Sequence, residues 1–287
     1  MSRLPITKTP KVYIGGAFVR SESARTFKVA DAAGAFYANI PQCTRKDLRN
    51  AVEAAAKAGP GWAKRTAYNR AQILYRLAEM LEARSGELVQ SLVRFGAREA
   101  DASRGMAVGV DRLIHYAGWC DKYEQLLGSV NPVASAHFNF TVTEPMGVVG
   151  VIAPDSPPLL GLLSMIAPVI ASGNTVVALA SETVPYPSIL LGEMLATSDL
   201  PGGVVNLLTG FRRELIPTFA THTHIRAVYA VAQGDDRRVL RLGAAESVKR
   251  VRFADKGRAQ WFEASAQGLD AVRDFVELKT TWHPIGS

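Results

Sequence analysis

The stretch GVVGVIAPDSPPLLGLLSMIAPVIASGNTVVALA, residues 147–180, decides the fold. It opens on an apolar run, Gly147 to Pro154, that reads as a parallel strand covered on both faces. Pro154-Asp155-Ser156-Pro157-Pro158 then interrupts the chain. A membrane span needs about 20 uninterrupted apolar residues, so the segment reads as buried core and not as a span. Leu159 to Ala171 reads as a buried helix bent at Pro168 and ended by Ser172-Gly173. TVVALA (175–180) is the next strand, Ser188 to Ala196 the next helix, and GVVNLLTG (203–210) a third strand. Strand and helix alternating at this spacing predict an α/β fold built on a Rossmann-like, doubly wound parallel sheet. Ligands of such sheets bind beyond the carboxyl ends of the strands, where Pro154, Ser181 and Gly210 fall.

Upstream, KVYIGGAFV (11–19) reads as an early strand whose Gly15-Gly16 pair allows a turn. Thr44 to Asp47 has the form of a helix capping box. Leu48, Val52, Ala55 and Ala56 follow at helical spacing, with a stop expected at Gly59-Pro60-Gly61. One long second helix is expected from about Thr66, carrying Ile73, Leu77, Met80, Leu81, Leu88 and Leu92 on one face, and a third over Ala97 to Gly118. HFNFTVTEPM (137–146) alternates like a half-exposed hairpin strand.

At 287 residues and 48% hydrophobic composition the chain can bury a sizeable core. The net charge of +7 favours acidic or phosphorylated partners. Much of the excess lies in Arg237, Arg238, Arg241, Lys249, Arg250, Arg252, Lys256 and Arg258. No aromatic residue interleaves the run from Arg237 to Arg252, so a solvated face or an acidic protein partner is preferred to nucleic acid. Only Cys43 and Cys120 are present, without metal-ligand spacing or a disulfide framework, which suits a reducing compartment. The start, MSRLPITKTPKVYIGG, lacks the apolar region of a secretory signal, so a cytoplasmic location is expected. His222 and His224 form a His-x-His without a third ligand nearby, and no metal site is expected.

Several long segments, in order, resemble the aldehyde dehydrogenase superfamily: VYIGGAFV, AVEAAAKAGPGWAKRTAYNRAQILYRLAEMLEAR, FTVTEPMGVVGVIAP, IAPVIASGNTVVALASE and DLPGGVVNLLTG. GLDAVRDFVELKTTWHPIG, near the end, resembles the family's C-terminal β-arm, which completes an oligomeric sheet. The resemblance implies a Rossmann-like N-terminal domain over 1–122 and 144–263. It also implies an oligomerisation hairpin and arm over 123–143 and 264–287. The family's catalytic domain, which belongs between about Glu263 and Gly268, is absent.

What the resemblance implies for chemistry is mostly loss. The family's nucleophilic cysteine lies in the missing domain, and neither Cys43 nor Cys120 has its motif context. Ala254 stands where the general-base glutamate belongs. Asp155-Ser156 stands where a Trp-Asn pair stabilises the oxyanion. Ser156 is a shorter donor, and an ionised Asp155 would repel the developing charge. The catalytic positions Ser156 and Ala254 are thus degenerate. The cofactor positions Ile152, Ala153, Pro154, Ser181, Glu182, Gly210 and Arg212 read as vestigial. Leu179 and Ala180 replace a lysine and a proline, Arg212 stands at a glycine position, and Tyr229 to Ala232 replace the small-residue turn that admits the pyrophosphate. Asp235 and Asp236 add negative charge beside that phosphate site. The leading expectation is a crevice filled by side chains and holding no cofactor. The other is NAD or NADP retained, with Arg212 or Arg213 pairing a phosphate.

Three functions follow. The first is a non-catalytic subunit that scaffolds or regulates a full-length aldehyde dehydrogenase, or associates with itself, through its β-arm. The second is an NAD(P)-binding component whose catalytic thiol is on a partner. The third is a basic binding module.

Overall fold

A computed structural model describes residues 8–286. The chain opens on a tight hairpin, Val12–Ile14 (β1) and Ala17–Val19 (β2), turned at Gly15-Gly16. A two-stranded ribbon follows, Thr26–Ala30 (β3) with Phe36–Pro41 (β4). Five helices come next: Arg45–Ala63 (α1), Ala67–Ala83 (α2), Ser85–Arg94 (α3), Glu99–Ala117 (α4) and Tyr123–Leu127 (α5). Ser129–Asn131 (β5) and His137–Pro145 (β6) lead into the alternating part. This comprises Val148–Ile152 (β7), Pro158–Ala171 (α6), Thr175–Leu179 (β8), Tyr186–Ala196 (α7), Val205–Leu208 (β9), Arg212–Thr221 (α8), Ile225–Ala230 (β10), Gly234–Ala245 (α9) and Arg250–Phe253 (β11). After β11 come Leu269–Arg273 (α10) and Val276–Pro284 (β12).

The main sheet has the order β11-β10-β7-β8-β9-β1-β2. From β11 to β9 it is parallel, and β1 joins β9 antiparallel. Strands β7 and β8 show why the apolar runs have no polar face. Val149, Val151, Val176 and Ala178 pack into the core that holds α2, α4 and α6, whereas Val148, Ile152, Val177 and Leu179 pack into the one beneath α1 and α8. A strand covered on both sides cannot alternate hydrophobic with polar residues.

The expected capping box forms, with the Thr44 amide and hydroxyl 2.7 and 3.0 Å from the same Asp47 oxygen. The expected stop at Gly59-Pro60-Gly61 does not occur, because α1 continues through it to Ala63. Trp62 explains the difference: it is buried in the core and donates its indole N–H to the Ile170 carbonyl at 3.0 Å. That tertiary anchor outweighs the local cost of glycine and proline. The single long second helix is also corrected, since it breaks at Arg84 into α2 and α3. Arg84 binds Glu193 of α7 at 2.8 Å and Glu87 at 2.9 Å, and the break lets Leu88 and Leu92 rejoin the core from a new direction.

A second sheet has the order β12-β6-β5. β12 pairs antiparallel with β6 from Val276↔Pro145 to Pro284↔His137. Asn174 ties it to the main sheet, accepting from the Gly147 amide at 2.8 Å and donating to the Phe275 carbonyl at 2.8 Å. By strand alternation Val130, Phe138, Phe140 and Val142 share one face, and Leu278 and Trp282 lie on the other.

Between β11 and β12 the chain forms a short seam. Arg112 of α4, only 1% exposed, binds the Trp261 and Glu263 carbonyls at 3.1 and 3.2 Å, the Ser164 hydroxyl at 3.1 Å and the Ala266 carbonyl at 3.4 Å. Trp261 is fully buried beside it. The seam is therefore packed and hydrogen-bonded. No described helix is long and apolar enough to cross a membrane.

Candidate nucleotide crevice

The crevice lies at the carboxyl ends of β7, β8, β9 and β10, where a doubly wound sheet places its ligand. Backbone pairing runs one residue past each strand. The amides of Ala153, Ala180, Val231 and Ala254 reach the carbonyls of Leu179, Leu208, Ile152 and Ala230 at 2.9–3.0 Å. Ile152 is wholly buried among the apolar residues under α8, so that candidate is core. Pro154 packs on Gly161, where an added Cβ would come within 2.1 Å of the proline ring. Gly210 has φ +148° and passes 3.2 Å from the Cys43 carbonyl measured at the position a Cβ would take. Only glycine suits that conformation and that approach.

Beyond the strand ends the side chains form one network. Asp155 Oδ1 accepts from the Ser181 hydroxyl at 2.8 Å, the Glu182 amide at 2.8 Å and the Thr183 amide at 3.3 Å. Its other oxygen lies 3.3 Å from Arg212 Nη2. The Arg212 guanidinium crosses the crevice, with Nη2 on the Ala153 carbonyl at 2.6 Å and Nη1 on the Val231 carbonyl at 3.4 Å. The Glu182 carboxylate accepts from the Arg212 backbone amide at 2.7 Å, at the first residue of α8. A helix start favours an anion, and here the anion is the protein's own carboxylate.

The structure thus brings together Ala153, Ser181, Glu182 and Arg212 of the expected positions, and it adds Asp155. As sequence, Asp155 reads as an obstacle to an oxyanion, whereas in the fold it is the hub that orders the loop after β8. Ser156 stands apart, exposed, on a cavity of about 200 Å³ walled by Pro157, Pro158, Gly105, Met106 and Phe262. Ala254 is buried at the end of β11 and offers only its backbone. Asp235 and Asp236 occupy the first turn of α9, where they complement the helix dipole.

Both cysteines are buried, and desolvation pushes each thiol up to about 12. A nucleophilic thiol needs the opposite shift. His222 and His224 meet edge to face with ring centroids 5.9 Å apart, and the described residues contain no group of three metal-ligating side chains. Lys249 departs from the solvated face expected of it. It is buried and donates to the carbonyls of Phe219, Ala220 and His222 at 3.1, 2.7 and 2.9 Å, closing the end of α8. Burial pulls its ammonium down to about 8. Arg237, Arg252 and Arg258 pair with Asp255, Asp274 and Asp101 at 2.8–3.0 Å.

A parallel doubly wound sheet with a helix start facing the crevice at its strand ends is the architecture of the dinucleotide-binding class of α/β proteins. The chain belongs to the aldehyde dehydrogenase family, whose sequence model matches residues 18–264. It is 34% identical over 263 residues to 2-hydroxymuconic semialdehyde dehydrogenase of Pseudomonas sp. (strain CF600), covering 88% of this chain and 53% of that protein. It is 30% identical over 256 residues to the putative aldehyde dehydrogenase DhaS of Bacillus subtilis (strain 168), covering 88% and 51%. The NAD+ complex of aldehyde dehydrogenase from Bacillus cereus superposes with a TM-score of 0.82 at 28% identity, over 86% of this chain and 50% of that one. The chain spans about half the length of the curated relatives it matches.

A dinucleotide suits this crevice poorly as its donors stand. The amide that begins α8 already carries the Glu182 carboxylate, and the Arg212 guanidinium is engaged on protein carbonyls. Arg212 Nε is buried without a partner.

Proposed function

We propose that this chain is a non-catalytic member of an oxidoreductase family, a subunit that scaffolds or regulates a full-length aldehyde dehydrogenase through its β-arm. The observation that carries the reading is Arg212, which spans the crevice from Ala153 to Val231 while Glu182 occupies the anion position of α8. Buried, high-pKa thiols support the absence of a nucleophile on this chain. The three-stranded sheet supports a partner. Val130, Phe138, Val142, Leu278 and Trp282 are 42–67% exposed on it, and an apolar sheet with free edges favours association.

The test is twofold. Calorimetry of the purified chain with NAD and with NADP is expected to show no saturable heat, and no short aldehyde is expected to be oxidised. Co-expression with a full-length aldehyde dehydrogenase from the same cells is expected to yield a mixed complex that Trp282→Glu abolishes. NAD-dependent aldehyde oxidation by the chain alone overturns the reading. Saturable NAD binding that is lost in Glu182→Ala transfers the support to an NAD(P)-binding component completed by a partner's thiol.

A further inference from the structure

At the carboxyl ends of β10 and β11, behind the seam, lies a cavity of about 530 Å³. Its walls include Tyr229, Arg252, Asp255, Lys256, Gln267 and Asp274. The size suits a small ligand. Each aspartate on the wall is already matched: Asp255 by Arg237 at 2.9 Å, Asp274 by Arg252 at 2.8 Å and Asp270 by Arg273 at 2.9 Å. Lys256 is half-buried, and no carboxylate lies within 4.0 Å of it among the described residues.

The surroundings make this lysine the unbalanced charge of the cavity. Arg112 reaches the back of the wall through the Ala266 carbonyl and binds only uncharged oxygens. The charged and titratable groups that face Lys256 are Arg252 and Asp255 around β11, Asp270 on α10 and Asp274 at its end, Arg112 on α4 and Tyr229 on β10. Burial first, and then the positive charges of Arg112 and Arg252, pull Lys256 below the ordinary lysine value. An anion inside the cavity relieves both causes, because it supplies a charge-assisted hydrogen bond and offsets the two guanidinium groups. Gln267 adds a neutral donor on the same wall; the Ser265 hydroxyl already donates to the Glu263 carboxylate at 3.1 Å.

We propose that this cavity is a binding site for a small carboxylate or phosphate anion, held by the Lys256 ammonium. The site is built from the seam and the end of β11, apart from the crevice that Arg212 spans. Its failure would leave the proposed function untouched.

The experiment titrates the full chain with citrate and with inorganic phosphate, at ionic strength held constant with sodium chloride. Calorimetry and amide chemical shifts are the readouts. The expected result is saturable binding of at least one of them, with the largest shifts at Gln267 and Gly268. The stronger binder tells carboxylate from phosphate. Lys256→Gln is expected to weaken the apparent Kd at least tenfold, while Lys256→Arg keeps it within a few-fold. Lys57→Gln, at an exposed lysine of α1, is expected to change nothing. The site is overturned by the absence of saturable binding of both anions, by equal affinity in Lys256→Gln, or by an equal loss in Lys57→Gln.

Discussion

Arg212 puts its two terminal nitrogens on carbonyls that follow two different strands, Ala153 after β7 and Val231 after β10. Its removal leaves both carbonyls and one Asp155 oxygen without that donor. Arg212→Ala is therefore expected to cost about 1–3 kcal/mol of stability, measured by urea unfolding. Asp155→Ala is expected to loosen the loop after β8, seen as faster amide exchange at Glu182, whose N–H it accepts at 2.8 Å. The thiols make a pH prediction at the same scale. Folded Cys43 and Cys120 lie at about 12, against an ordinary value of 9.0, so folding retains their protons. Their contribution to stability is then fully present below pH 9 and is lost as pH rises toward 12. The double variant Cys43→Ala, Cys120→Ala is expected to show a shallower alkaline decline in Tm than the parent. Ellman's reagent at pH 8 is expected to label neither thiol until the chain is denatured.

Helix α8 depends on partners distant in sequence at both of its ends. Glu182 meets its first amide, and Lys249 binds carbonyls of its last turn. Lys249→Met keeps the stem and removes three hydrogen bonds, so about 2–3 kcal/mol is expected to be lost on unfolding. The start of α1 is a local device by comparison. Asp47 serves the Thr44 cap and also accepts from the Ser21 hydroxyl at 2.9 Å and the Glu22 amide at 2.8 Å. Asp47→Ala is expected to cost about 2 kcal/mol, at the upper end for a lost cap. The contrast marks what was legible. The capping box could be read from four adjacent residues, because its bonds are short-range. The continuation of α1 through Gly59-Pro60-Gly61 could not, because Trp62 is anchored by Ile170, far along the chain. The break at Arg84 was hidden for the same reason, since Glu193 belongs to another helix.

The whole molecule is held by two junctions that join its parts. At one, Asn174 bonds the arm to the sheet. At the other, Arg112 gathers the seam between β11 and β12. A buried guanidinium on uncharged oxygens is costly to break on one side, because the oxygens stay buried without donors. Arg112→Met is expected to lower stability by about 2–4 kcal/mol and to speed limited proteolysis within residues 254–268, read by mass spectrometry. The same change at a solvated arginine such as Arg238 is expected to alter neither.

The sequence by itself determined the α/β class, the parallel strands and the family. These follow from periodicity and from motifs a few residues long, and such short-range patterns survive without knowledge of what packs on them. The tertiary structure alone decided what the side chains beyond the strand ends do. Asp155, Ser181, Glu182 and Val231 from three loops and Arg212 from the first turn of α8 follow four different strands, and they meet because the doubly wound sheet delivers its strand ends to one edge. Lys249 likewise reads as part of a solvated face until the fold buries it, as it also buries Arg112. Burial, and the carbonyls waiting there, turn a charge into a clasp, and neither quantity is a property of the residue itself.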